Sequence, residues 1–146
     1  MPTTSNVLEN AGVAVDGRGP LADAFERAVL DESVITALRQ LASAAAHPGE
    51  DLLGELIGLF ARDAVARVAA IEVAWRARQP REAARAAHTL KGAAGQVGAL
   101  RVVAAAQAVE RLTEAAFDAD VVAGLRGAVD EAVGALRARL VDELTR

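Results

Sequence analysis

The sequence predicts an all-α protein, an up-and-down antiparallel four-helix bundle with an additional N-terminal helix. Three observations predict it. Apolar residues make up 53% of the 146 residues but aromatics only 3%, and alanine supplies much of the apolar share, a composition suited to closely packed helices. Apolar positions recur at spacings of three and four along most of the chain, which is the period of one helix face. No segment alternates with period two, so no strand is required. A single domain of this length buries roughly 70% of its unfolded surface and needs no staples.

Residues 1–28 are expected to be a mobile tail. Residues 1–20 contain Gly12, Gly17, Gly19 and Pro20 without a sustained period, and Leu21, Ala24, Phe25 and Ala28 offer at most a short helix near 21–28. The bundle domain is assigned to residues 29–146. Asp31 is the expected N-cap of a helix with Val34, Leu38, Leu41 and Ala45 inward, which His47-Pro48-Gly49 stops. A long helix follows from about Asp51 to Arg78, with the stripe Leu53, Ile57, Phe60, Ala64, Val68, Ile71 and Trp75. Pro80 suits the first turn of the next helix, which carries His88 and ends near Gly98. Val102, Ala106, Val109 and Leu112 mark the fourth segment. A turn at Phe117-Asp118-Ala119-Asp120, with a capping aspartate, leads into the last helix, striped by Val122, Leu125, Val129, Val133, Leu136, Leu140 and Leu144.

Composition excludes several function classes. There is no cysteine, so disulfides, zinc-thiolate sites and thiol catalysis are ruled out. A net charge of -4 argues against a nucleic-acid partner. The N-terminus lacks a basic stretch followed by an apolar one, and no uncharged apolar run approaches ~18 residues, so no membrane partner and a cytoplasmic location are expected. No Gly-x-x-x-x-Gly-Lys-[Ser/Thr] loop occurs, so no ATP binding or autokinase activity is expected. Glu-x-x-His is absent and the two histidines fall on different elements, so no metal and no resident cofactor are expected.

The informative stretch is Ala87-His88-Thr89-Leu90-Lys91-Gly92-Ala93-Ala94-Gly95-Gln96-Val97-Gly98. Lys91 is the only lysine, one helical turn from His88, and a compact ammonium that close to an imidazole suits a small dianion such as a phosphoryl group. At ~100° per residue, Ala83, Ala86, Leu90, Ala94 and Val97 form the core side of this helix. His88 points the other way, beside Arg81, Ala84, Arg85, Lys91, Gly92, Gly95 and, at the margin, Gln96. Each glycine costs about 1 kcal/mol relative to alanine in a helix interior, so bare backbone next to an exposed imidazole points to a docking molecule. His47, at a helix end, is read as structural. No carboxylate lies one turn before His88, where positions 84 and 85 are alanine and arginine, so nothing is expected to activate the ring strongly.

The run from Ala87 to Ala99 resembles the signature of histidine-containing phosphotransfer (HPt) domains, with lysine three residues and glycine four residues after the histidine. Val29-Leu30-Asp31, Leu56, Phe60 and Val109-Glu110 extend the resemblance over about residues 29–144. The resemblance implies that His88 is the phosphoacceptor, that Lys91 steadies the phosphoryl group, and that Gly92, Gly95, Gln96, Ala84, Arg85 and Phe60 form the docking surface for a receiver domain. It implies a passive carrier in a phosphorelay. The partners would be response-regulator receiver domains, which bring their own aspartate and Mg2+, and a hybrid histidine kinase. A monomer is expected from the polar exterior of the last helix. Two other readings stand beside this one: a helical adaptor that is never phosphorylated, and the transfer domain of a larger hybrid kinase.

Overall fold

The computed structural model describes residues 24, 26–45, 47 and 50–144. The expected tail at 1–20, and most of the possible helix near 21–28, lie outside the described residues. Among the described residues there are five helices: α1 (Glu32–Ala45), α2 (Leu52–Arg76), α3 (Pro80–Gln96), α4 (Leu100–Glu110) and α5 (Ala119–Leu144). In this bundle α2 packs on α3, α3 on α4, α4 on α5 and α5 back on α2, while α1 leans on α2 from outside the ring. Glu72 pairs with Arg126, whereas Ala61 lies in a common groove with Arg137. Residue numbers therefore rise along α2 as they fall along α5, and the two run antiparallel.

The helix ends follow local chemistry. Asp31 starts α1: its carboxylate accepts from the Ser33 hydroxyl at 2.6 Å and the Ser33 amide at 3.0 Å. These bonds, the hydroxyl's foremost, hold the Asp31 carboxyl below its usual value. The Asp51 carboxylate accepts from the Gly54 amide at 2.9 Å and caps α2. Helix α2 ends at Arg76, Arg78 in the following turn takes φ 56°, and Pro80 opens α3 where its missing N–H costs nothing. Asp118 accepts from the Asp120 amide at 2.9 Å ahead of α5.

Leu53, Ile57, Phe60, Ala64, Val68 and Ile71 are all buried, and Trp75 packs at their end with its ring centroid 4.7 Å from that of Phe117. From the other helices the core takes Leu90, Val102, Val109, Leu125, Val129 and Leu136. Two expectations need correction. In α1 the inward residues are Ile35, Leu38 and Ala42, while Leu41 is 67% exposed, because only one edge of this outlying helix meets the bundle. In α3 Ala87 is fully buried and Ala86 only partly, since α3 is gripped from both sides by α2 and α4.

Gly98 fixes the α3–α4 hairpin. It adopts φ +70°, and a Cβ there would lie 3.0 Å from Val34 Cβ and 3.1 Å from the Asp31 carbonyl oxygen, so only glycine fits. The Gly98 carbonyl accepts from the Asp31 amide at 2.7 Å, and the Leu100 amide donates to the Val29 carbonyl at 3.1 Å. The segment entering α1 thereby clamps the turn from which α4 departs.

Candidate functional site

His88 lies mid-way along α3 with its side chain 71% exposed. Leu90, Ala83, Ala87 and Ala94 are fully buried on the opposite side, and a helix that sinks those positions must lift His88 into solvent. Arg85, Gly92, Gly95 and Gln96 are exposed beside it, Ala84 and Lys91 are half-buried, and the Thr89 hydroxyl donates back to the Arg85 carbonyl at 3.1 Å. A Cβ added at Gly92 or Gly95 would meet nothing within 4 Å. The face is open, as the spacing predicts.

Phe60 does not belong to this surface. It is 5% exposed and sits in the core, on the same stripe of α2 as Ile57 and Ala64, so it offers a docking partner no contact area.

A carboxylate does reach the histidine, from a different helix. Glu110, the last residue of α4, places Oε2 3.2 Å from His88 Nδ1 and Oε1 2.6 Å from Lys91 Nζ. The Lys91 contact is an ion pair whose angles fall outside those of a hydrogen bond. The hairpin accounts for the meeting. His88 stands ten residues before Gly98 and Glu110 twelve after it, so two antiparallel helices rising equally per residue bring them to nearly the same height. The Glu110 side chain leans back toward the start of α4 and so toward Lys91. The expectation of an imidazole without a nearby carboxylate is thereby overturned, because counting turns along one helix cannot see the neighbouring helix.

Besides its place in the family resemblance, Glu110 carries a second signal in the sequence. It is the only charged residue in α4 besides Arg101, and it ends the helix, where the macrodipole disfavours a negative charge. An acid placed against the dipole is there for a cation or a donor.

A carboxylate can only accept, so a hydrogen bond from His88 to Glu110 puts the ring proton on Nδ1 and leaves the lone pair on Nε2. Glu110 is 23% exposed and Lys91 28%, so these two are held while the ring remains accessible. Among the described residues no group of three or more histidine, cysteine, aspartate or glutamate side chains is placed to hold a metal. None of the described helices is long and apolar enough to cross a membrane.

The family model of the Hpt domain matches residues 55–140, which takes in most of α2, all of α3 and α4, and most of α5. The chain belongs to the Hpt domain family. No curated protein and no solved structure matches it. Hpt domains serve phosphotransfer in two-component signalling and interact there with receiver domains and kinases, and that is the class of this protein. The match spans His88, Lys91, Gly92, Gly95 and Glu110, and leaves α1 and its clamp on Gly98 outside it.

Proposed function

We propose that His88 is the phosphoacceptor of a phosphorelay, taking a phosphoryl group from the aspartate of one receiver domain and passing it to the aspartate of another. In the forward step Nε2 attacks phosphorus, the bond from phosphorus to the aspartyl oxygen breaks, and the aspartate leaves as a carboxylate. The Nδ1 proton stays in place, held by Glu110, so no proton has to leave the ring as the new bond forms. The phosphoramidate product carries added negative charge, and the Lys91 ammonium beside it offsets that charge. Magnesium and the residues that drive in-line transfer belong to the receiver in this reading, and this chain supplies an oriented nucleophile and an open face.

The observation that carries the proposal is the bridge itself: an imidazole 71% exposed, yet tied through Nδ1 to a carboxylate that also holds the only lysine. Incubation with phosphorylated receiver domains tests it. Label is expected on this chain, acid-labile and alkali-stable as a phosphoramidate is, and absent from His88→Gln. Receivers that bind without any label reaching His88 would favour the adaptor reading instead.

A further inference from the structure

The side of the bundle formed by α2 and α5 carries a groove floored by Ala61, Val65, Ala66, Val133 and Gly134 and flanked by Asp130, Arg137 and the exposed Arg62. Val65 is 49% exposed, and farther along the outward side of α2 Ala69 is exposed and Val73 is 56% exposed. Apolar surface continuing over about two turns of one helix is a mark of a contact surface. Asp130 and Arg137 lie two turns apart on α5, roughly 10.5 Å, too far to pair within one chain. Among the described residues neither makes an ion pair; Arg126, one turn from Asp130, is hydrogen-bonded to Glu72 and feels the Asp130 charge only at longer range.

We propose that this groove is the interface with a second copy of the chain, related by a two-fold axis that crosses α5 between Val133 and Gly134. The charge pattern selects this occupant. Positions 130 and 137 are equidistant from that axis, so in an antiparallel α5 pair each Asp130 faces the Arg137 of the other copy, and two ion pairs form across the axis. The same axis brings the two Val65 side chains together. A Cβ at Gly134 would meet nothing within 4 Å, which leaves room for the two helices to approach closely. His88 is held against α4 by Glu110, on the other side of the ring from α2 and α5, so both copies keep the histidine face open. A monomer, expected above from the exterior of the last helix, ignores the outward side of α2.

Sedimentation equilibrium on the full chain tests the proposal, with circular dichroism to verify helicity. The wild type is expected at twice the chain mass at high protein concentration. Val65→Glu, Asp130→Arg and Arg137→Asp are each expected to weaken association by about tenfold or more, since reversing a charge sets like charges face to face. The double variant Asp130→Arg with Arg137→Asp is expected to recover most of the loss. A wild-type monomer at every concentration would overturn the proposal, as would a dimer indifferent to Val65→Glu or a double variant no better than the single ones.

Discussion

At the scale of single residues, Glu110 changes the account most. With Glu110→Ala the Nδ1 proton loses its acceptor and Lys91 its partner, and transfer to His88 is expected to slow about tenfold, the equivalent of about 1.4 kcal/mol and within the net value of one hydrogen bond. Glu110→Gln keeps an oxygen for Nδ1 and should retain more of the rate. Initial rates of labelling by one phosphorylated receiver measure both, and equal rates for the two variants would show that the hydrogen bond is idle. Lys91→Ala should slow transfer or shorten the lifetime of phosphorylated His88, and Lys91→Arg should rescue it only in part, because a planar fork cannot occupy the place of an ammonium held 2.6 Å from Glu110. His88, Lys91 and the open glycines were legible in the sequence because one helix carries them all at a known angular spacing. The carboxylate was legible as part of the family resemblance and as an acid at the wrong end of α4, but not as a partner of His88, since that meeting depends on how two helices pack.

Glycines on α3 and at its end divide by what surrounds them. Gly95 is helical and open, so Gly95→Ala should stabilise the fold by up to about 1 kcal/mol. Gly98→Ala should destabilise it by about 1–3 kcal/mol, combining the left-handed φ with a Cβ pressed on Val34 and on the Asp31 carbonyl. Chemical denaturation curves for the two variants should move in opposite directions. Gly92→Gln should leave stability nearly unchanged while slowing transfer, because it crowds the space one turn from His88. The periodicity of α2 read correctly from Leu53 to Ile71 and that of α5 at Val122, Leu125, Val129 and Leu136, which are buried, while Trp75, Val133 and Leu140 are only partly so. That of α1 misled at Leu41, since a helix lying outside the ring buries only a narrow edge, and spacing alone cannot say which edge meets its neighbour.

Across the whole molecule, charged contacts between distant segments hold the helices in place: Glu32 pairs with Arg139, Glu131 with Arg101 at 2.8 Å, and Glu72 with Arg126. The hydrogen bond from Arg126 holds the Glu72 carboxyl below its usual value. A carboxylate depressed in the folded state lends stability that is fully present above its unfolded value, about 4.3, and is lost as pH falls through the folded one. The difference in Tm between wild type and Glu72→Gln should therefore be largest near neutral pH and shrink on acidification below that value. Raised salt should reduce it as well, because both partners are partly exposed. A difference that grows on acidification would contradict the pairing. The four-helix ring and its antiparallel order were legible from stripe lengths and short connections. The outward apolar side of α2 was not, because a helix whose inner stripe is already accounted for gives no sign of what its remaining residues meet.

The central claim is that Glu110 holds the proton on Nδ1 so that Nε2 takes the phosphoryl group. Nitrogen-15 NMR of the imidazole, recorded before and after phosphorylation by a receiver, reads this atom by atom. The account predicts a protonated Nδ1 in both states and a phosphorus coupling at Nε2. A phosphorus coupling at Nδ1, or label on any residue other than His88, would contradict it.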